Sequence, residues 1–483
     1  MKRKRNYIII ILVAALCGCG LVYWGKDGSS LASTRTAYEE EEDSIFPAPA
    51  KTLYAMQLYL DVPERMIYGK SEISTENTAG RVLKELWFTA YPNAFRQQQG
   101  SPAPSSAYYA GFDPGWMEIE ALQVNGQIAS VEGDGPSLRV VLPQEIAQGE
   151  AVNVQMEWKA KIPRVKYRYG CQDTVFMLGN FYPTLNVLGE DGWHNSYSSS
   201  FGDPFCFHMA DYIVNITIPE GFTLASTGEV IARANQDDGR EIYSIGAEGV
   251  RDFCLLVMYD YKEIRQKMHG VEIAAYCPAG QDANARNLMA RAGDILHFYS
   301  CTFGTYPYED FKLALVPMLG FHGMEYSGMI FLSKEFFYPG KDSRQDFVLA
   351  HEIAHQWWYG MVGNDQLQEP WLDEGLANWS ARLYGEKMLG QQRPQKPVRV
   401  CNLNRELRDM QSRQDYYGTA YTAGEAFWYG LEQELGQDTV IKVLRRYLSD
   451  NREQIASMED VLKAIAAETN KDMSAYIQRW FTE

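Results

Sequence analysis

Basic residues and cysteine are scarce in this chain of 483 residues. It has 45 Lys and Arg against 62 Asp and Glu, so the formal net charge is −17. This excess of acid leaves no basic surface able to neutralise a phosphate backbone and argues against nucleic-acid binding. Eight cysteines without a Cys-x-x-Cys pair are too few for a disulfide scaffold. With 46% hydrophobic and 22% charged residues, the composition is that of a folded protein of two or three domains.

One long uncharged apolar run, Tyr7 to Trp24, stands at the amino terminus. As a helix it would span about 27 Å, close to the hydrocarbon thickness of a bilayer. Lys2 to Arg5 precede it and predict that the amino terminus stays in the cytoplasm while the body lies outside. Residues 1–24 are therefore interpreted as an uncleaved membrane anchor, a lipoprotein signal processed at Cys19, or an ordinary cleaved signal. All three place the body outside the cytoplasm, and the first two tether it to the membrane.

Residues 25–50 have the composition of an acidic linker, with the run Glu39 to Asp43 and several Ser, Pro and Ala residues. After it, from 51 to 250, the pattern is that of strands. The clearest case is Val152 to Ile162, where apolar and polar residues alternate with a period of two. Short strands separated by Gly, Pro and Asn predict an N-terminal antiparallel β-sandwich-like domain.

Beyond residue 250 helical periods replace the alternation, and 251–483 is predicted to be a second, mainly helical domain. The predicted helices cover 344–360, 370–388, 422–435, 438–449 and 458–468. The chain is thus predicted to be an α+β multidomain protein.

The first of these helices carries His351-Glu352-Ile353-Ala354-His355. Its predicted start resembles a capping box, with Ser343 three residues before Asp346. Two histidines four residues apart lie on one face of a helix and can bind one zinc ion together. Glu352 projects beside them, where it can take a proton from a water molecule.

A catalytic zinc site needs a third protein ligand and keeps one position open for water. Eighteen residues after His355 stands Glu374, in Trp371-Leu-Asp-Glu-Gly. Pro370 suits the first turn of a helix. We therefore expect Glu374 to lie on a second helix that packs against the first and completes a zinc site with His351 and His355, as in a zinc hydrolase.

Four passages together resemble the aminopeptidase N family of gluzincin metallopeptidases, the family that includes the leukotriene hydrolase. They are the zinc motif His351-Glu352-x-x-His355 with Glu374; Gly323-Met324-Glu325-Tyr326, which is similar to the exopeptidase motif GxMEN; Asp252-Phe253-Cys254 through Met258, which is similar to the segment joining the two domains; and Tyr421-Thr-Ala-Gly424, which is similar to Tyr-x-Lys-Gly. The resemblance extends over residues 51–483. It implies a thermolysin-like, zinc-peptidase fold for residues 251–483.

The resemblance also implies a role for each matched residue. One Zn²⁺ per chain would be held by His351, His355 and Glu374. Glu352 would be the general base, and Tyr421 would donate a hydrogen bond to the developing oxyanion. Substrate would be bound by the passage Gly323, Met324 and Glu325, in which the carboxylate receives the free α-ammonium and the strand pairs with the substrate backbone.

Three points remain open at this level. Each of two residues has a structural alternative: Glu325 could form a salt bridge, and Tyr421 could pack on the surface or in the core. Tyr326 and Ala423 replace the family's Asn and Lys, so the pocket around the substrate's amino terminus is open to change. His194 and His208 are expected to be structural or substrate-edge residues rather than a second metal site, and His322 to pack in a loop or to line the pocket.

The sequence as a whole predicts a membrane-tethered, extracytoplasmic zinc aminopeptidase that acts on peptides with a free amino terminus. Two alternatives stand beside it: a zinc peptidase without strict amino-terminal preference, and a catalytically inactive surface protein that binds peptides. Side-chain preference, oligomeric state and the pairing of the cysteines are not determined by the sequence.

Overall fold

The computed structural model describes residues 52–340, 342–393 and 401–481. The predicted membrane segment at 7–24, the alternative processing site at Cys19 and the linker at 25–50 lie outside these residues. No helix within the described part of the chain is both long enough and apolar enough to cross a bilayer.

The first half of the described chain consists of strands. In chain order they are β1 (Thr52–Asp61), β2 (Met66–Glu76), β3 (Leu83–Thr89), β4 (Trp116–Val124), β5 (Gln127–Ile128), β6 (Ser130–Glu132), β7 (Ser137–Ile146), β8 (Ala151–Lys161), β9 (Tyr169–Gln172), β10 (Val175–Leu178), β11 (Thr184–Leu185), β12 (Ala210–Pro219), β13 (Phe222–Ser226), β14 (Glu229–Asn235), β15 (Arg240–Val250) and β16 (Leu255–Tyr259).

These strands form three sheets, in the orders β14-β15-β12-β1-β2-β8-β4-β5, β13-β16-β10-β9 and β11-β3-β7-β6. In β8 the side chains from Val152 to Ala160 are buried at every second position, as the alternation predicts. The β-rich N-terminal domain is thereby confirmed. One pairing differs from the antiparallel expectation, because β1 and β12 run parallel. Alternation reports which face of a strand is buried and contains no information on the direction of its neighbour.

The second half combines a sheet with helices. Its elements are β17 (Tyr261–Met268), β18 (Val271–Pro278), α1 (Asp282–Thr302), β19 (Asp310–Val316), β20 (Gly323–Tyr326), β21 (Met329–Ser333), α2 (Ser343–Ala354), α3 (Pro370–Leu389), α4 (Arg413–Tyr416), a π-helical segment (Tyr417–Ala423), α5 (Gly424–Leu435), α6 (Gln437–Asp450), α7 (Met458–Glu468) and α8 (Ser474–Trp480). The sheet has the order β17-β18-β19-β21-β20, so β20 lies at its edge. A helical half after a β-rich half confirms the predicted fold class.

The helix that carries the two histidines differs from its prediction at both ends. Asp342, rather than Ser343, caps α2: its side chain accepts a hydrogen bond from the backbone N–H of Arg344 at 2.8 Å. The helix ends at Ala354 instead of 360, and the chain turns there so that Trp357 and Trp358 enter the core. Trp358 Nε1 donates to Ser380 Oγ of α3 at 2.9 Å, which fixes α2 against α3.

A buried arginine connects the strand domain to the zinc-motif region. The guanidinium of Arg251, 1% exposed, donates hydrogen bonds to the carbonyls of Phe207 at 2.8 Å and Tyr359 at 2.6 Å. Its neighbour Asp252 accepts from Tyr359 Oη at 2.6 Å and from the backbone N–H of Ser327 at 2.9 Å. A buried charge is stable only when it is paired in this way. The junction predicted near residue 250 therefore orients both the turn after α2 and the turn between β20 and β21.

Candidate active site

His351, His355 and Glu374 meet where α2 packs against α3. His351 lies in the last turn of α2, and His355, one turn further on, is the residue that directly follows the helix. Glu374 lies in the first turns of α3 after Pro370. The three side chains are between 1% and 7% exposed. Their ligand atoms lie within 4.8 Å of one another and form one of the groups in the described chain that could hold a metal ion.

The distances within this group fit one zinc ion. Nε2 of His351 and Nε2 of His355 are 3.2 Å apart. Oε2 of Glu374 lies 3.1 Å from the first nitrogen and 3.5 Å from the second. Two ligands of a tetrahedral zinc at their usual bond lengths are ~3.3 Å apart. Glu374 Oε2 is also buried and has no hydrogen-bond partner among the described residues, so an ion between the three atoms would satisfy it.

The surroundings favour the ligand forms of His351 and Glu374. For His355, burial alone would lower the pKa, but the carboxyl groups of Glu325 and Glu374 raise it well above its ordinary value, so a metal ion at Nε2 would have to displace a proton. His355 Nδ1 lies 3.0 Å from the carbonyl of Trp358, which can only accept a hydrogen bond. Nδ1 therefore carries a proton, and Nε2 points into the group. Burial lowers the pKa of His351 and keeps its ring neutral. Burial alone would raise the pKa of Glu374, but its contacts with His351 and His355 hold that pKa below its ordinary value.

Glu352 lies beside the zinc group and against the edge strand. A Cβ at position 323 would lie 2.2 Å from Glu352 Cδ, so only glycine at that position leaves room for the carboxyl group. Glu352 is 6% exposed, and burial raises its pKa to about 8. A carboxyl group with a raised pKa can take up and return a proton near neutral pH, as a general base requires.

The passage Gly323-Met324-Glu325-Tyr326 forms the edge strand β20. Glu325 is 8% exposed and interacts electrostatically with His355, Glu352 and Glu374, so it faces the same centre. Burial raises its pKa well above the ordinary value. A positively charged group of a ligand would offset the free-energy cost of ionising this buried carboxyl group.

Tyr326 does not line this centre. Successive side chains of a strand point to opposite faces, and Tyr326 joins Met324 and Phe331 in a buried cluster on the face away from Glu325. Its hydroxyl reaches Gly179, where a Cβ would lie 1.8 Å from it. The replacement of the family's Asn by Tyr326 therefore changes the packing under β20 rather than the lining of the centre.

Tyr421 lies in the π-helical segment that precedes α5. Its hydroxyl donates to Glu374 Oε1 at 2.5 Å, and its ring stacks on that of His351 with centroids 5.7 Å apart. π-helical turns are often found at functional sites. Gly424 allows α5 to approach α3 closely, because a Cβ at position 424 would lie 2.9 Å from the Cα of Gly375.

Some residues of the site belong to no sequence motif and could not be predicted from the sequence. Tyr416 Oη also approaches Glu374 Oε1, at 3.4 Å. Asp373 is held by Asn364 at 3.1 Å and Gln366 at 2.7 Å, which fixes the start of α3. The proximity of each residue to the zinc group is known only from the folded structure.

Arg168 and Asp203 of the strand half form a buried ion pair that interacts electrostatically with Glu352. No motif marks either residue, and the fold alone places the pair near the site.

The histidines outside the zinc motif have different surroundings. His322 stacks on Phe336 with ring centroids 3.9 Å apart. His194 contacts Asp365 through Nδ1 and lies close to Cys206. His208 belongs to neither of the two groups of described residues that could hold a metal ion.

Comparison with known proteins finds similarity to one family of peptidases. A model of the Peptidase family M1 domain matches residues 288–480. Aminopeptidase 2, mitochondrial, of Saccharomyces cerevisiae is 22% identical over 252 residues, 46% of this chain and 26% of that protein. Aminopeptidase N of Acetobacter pasteurianus is 24% identical over 181 residues, 35% of this chain and 51% of that protein. The chain thus spans about a quarter to a half of the length of these relatives.

Solved structures show the same fold. A mutant M1 zinc metallopeptidase from Deinococcus radiodurans aligns with a TM-score of 0.64 and 16% identity over 90% of this chain and 96% of that one. A complex of that mutant with a Tyr-Ser-Ala substrate aligns with a TM-score of 0.63 over the same shares. Similarity to M1 zinc metallopeptidases implies one catalytic Zn²⁺, and the group of His351, His355 and Glu374 is present for it. Residues 288–480 are thus similar to the Peptidase family M1 domain, and the described chain has the fold of M1 zinc metallopeptidases, which supports the resemblance to the aminopeptidase N family.

Proposed function

We propose that this chain is a zinc-dependent aminopeptidase that removes the first residue of extracytoplasmic peptides. The observation that carries the proposal is the placement of Glu325. Its carboxyl group is buried on an edge strand, directed at the same centre as His351, His355 and Glu374.

Glu325 and the edge strand account for exopeptidase specificity. A substrate that adds to the free edge of β20 has its backbone aligned by main-chain hydrogen bonds. The α-ammonium of its first residue then neutralises Glu325, so binding is strongest when a free amine is present. A blocked amine leaves a buried carboxylate uncompensated, which costs binding energy.

Hydrolysis would be carried out by three groups. A zinc ion held by His351, His355 and Glu374 supplies Lewis acidity towards the scissile carbonyl and lowers the pKa of a water molecule. Glu352 takes the proton from the attacking water and returns it to the leaving amine. Tyr421 donates its hydroxyl hydrogen to the carbonyl oxygen as negative charge develops there.

Peptide hydrolysis by the purified full chain tests this function. The substrates are a tripeptide with a free amino terminus and its N-acetylated counterpart, each with and without a metal chelator. We expect release of the first residue from the free peptide only, and loss of this activity on chelation.

Two other outcomes favour the alternative functions. Cleavage of both peptides at similar rates would support a zinc peptidase without amino-terminal preference. Bound zinc without turnover of either peptide would support a peptide-binding protein. A Glu374→Gln variant is the matched control, because it removes one zinc ligand and leaves the acidic residue of β20 in place.

We also propose that the protein is tethered to the outer face of a membrane through residues 7–24. The support is the apolar run behind Lys2 to Arg5. The form of the tether is tested by fractionation of cells that express the wild type or a Cys19→Ser variant. An uncleaved anchor leaves residues 1–24 on both membrane-bound proteins. A lipoprotein begins at Cys19 in the wild type only, because the variant is not processed, and recovery of both proteins in the soluble fraction contradicts the tether.

A further inference from the structure

A second group of metal-binding side chains lies away from the zinc motif. It consists of His194, Cys206 and Asp365. The first two belong to the loop between β11 and β12, and Asp365 belongs to the loop that leads into α3. Their donor atoms (one nitrogen, one sulfur and one oxygen) all lie within 4.8 Å of one another.

Two of the three donors are buried. Cys206 is 3% and Asp365 7% exposed. Cys206 packs against Val187 and Leu367 in a small apolar cluster. No hydrogen bond to its sulfur is formed within the described residues, so the sulfur has a free coordination position.

The outer contacts orient the donors towards one point. Asp365 Oδ1 accepts backbone hydrogen bonds from Leu367 at 2.8 Å and Gln368 at 3.3 Å, which leaves Oδ2 for His194 Nδ1. On the other side of the ring, His194 Nε2 lies 3.3 Å from Asp191. A histidine that binds a metal through one nitrogen and a carboxylate through the other is the usual arrangement at metal sites.

The charges also balance for a divalent ion. A thiolate and a carboxylate supply two negative charges, and a neutral imidazole completes the set. A buried site of this composition is neutral with one Zn²⁺, whereas thiolate donors disfavour Mg²⁺ and Ca²⁺. Three protein donors leave a fourth position for water.

We propose that His194, Cys206 and Asp365 bind a second, thiophilic divalent metal ion, Zn²⁺ by its donor set. The ion would replace the direct contact between His194 and Asp365. It would connect the strand half to the loop before α3. The same loop holds Asp373 through Asn364 and Gln366, next to the candidate zinc ligand Glu374. The second ion would therefore stabilise the loop that positions the first.

Cobalt substitution of the full chain tests the proposal, because Co²⁺ takes the place of zinc and absorbs in the near ultraviolet only when a thiolate is among its ligands. The His351, His355 and Glu374 group contains no sulfur. We expect the metal-free wild type to bind two Co²⁺ per chain, one of them with a thiolate charge-transfer band. A Cys206→Ser variant should lose the band and one ion, and a Glu374→Gln variant should lose one ion and keep the band.

The matched control is Cys171→Ser, which removes another buried thiol of the strand half and should leave the spectrum unchanged. The wild-type spectrum alone decides the case if a variant fails to fold. A single ion per wild-type chain without a thiolate band overturns the proposal. So does a band that persists in Cys206→Ser.

Discussion

The hydroxyl of Tyr421 donates a hydrogen bond of 2.5 Å to Oε1 of Glu374, while Oε2 of the same carboxylate faces the two histidines. A phenol has a single O–H and cannot donate to Glu374 and to a substrate at the same time. The proposed oxyanion contact therefore requires Tyr421 to exchange Glu374 for the substrate oxygen. Before substrate binds, Glu374 holds the Tyr421 hydroxyl close to the expected position of the substrate carbonyl oxygen.

Replacing Tyr421 by Phe should reduce kcat about 10²- to 10³-fold, the usual cost of one lost oxyanion donor, with little change in KM. Tyr416→Phe is the control, because its hydroxyl approaches the same oxygen at a longer distance of 3.4 Å. Steady-state kinetics on the free tripeptide measures both. Equal losses in the two variants would show that the hydroxyl of Tyr421 has no special role.

Replacing Glu352 by Gln should remove the general base and reduce kcat by about 10²- to 10⁴-fold. Zinc content should not change, since Glu352 is not among the three residues that surround the metal position. Turnover and metal analysis on the same preparation separate these effects. Full turnover in this variant would assign proton transfer to another residue.

Replacing Gly323 by Ala should inactivate the enzyme without removal of zinc. The added methyl group would lie 2.2 Å from Glu352 Cδ and displaces that carboxyl group. Gly135→Ala is the matched control, because a Cβ there meets no atom within 4 Å. We expect a loss of kcat in the first variant only, measured beside its zinc content. A fully active Gly323→Ala variant would place Glu352 elsewhere during turnover.

Glu369, the residue before α3, should make stability depend on pH. Burial raises its pKa to about 7, while its carboxylate accepts from the backbone N–H of Met458 at 3.2 Å. This folded-state pKa is above the unfolded value. The contribution of Glu369 to the free energy of unfolding is therefore complete at pH below about 4.5 and is lost as pH rises through 7. Glu369→Gln avoids the loss, so its Tm should exceed that of the wild type at pH 8 and approach it at pH 5.

Thermal unfolding at the two pH values measures this difference, with the exposed Glu459→Gln as control. A Glu369→Gln variant whose Tm follows that of the wild type at both pH values would contradict the assignment.

The zinc group was predictable because the sequence spacing of its residues determines where they lie on their helices. His351 and His355 lie on one helix face by periodicity alone, and Pro370 marks the start of the helix that carries Glu374. The structure brings these residues together as predicted, with Glu352 and Glu325 beside them. Their roles in catalysis stay predictions until they are measured.

Other features depend on contacts between distant segments. Hydrophobic alternation could not show that β1 pairs in parallel with β12. The group of His194, Cys206 and Asp365 arises because two loops from different halves of the chain meet. The helix α1 (Asp282–Thr302) is absent from the predicted helices, although its buried residues follow helical spacing and its pattern was sufficient to predict it.

The central claim, that Glu325 selects a free amino terminus, is tested most directly by the ratio of kcat/KM for free and N-acetylated tripeptides. We predict that the wild type strongly prefers the free peptide and that Glu325→Gln lowers this preference at least tenfold with its zinc retained. A wild type that cleaves both peptides equally, or a variant that keeps the full preference, would contradict the account.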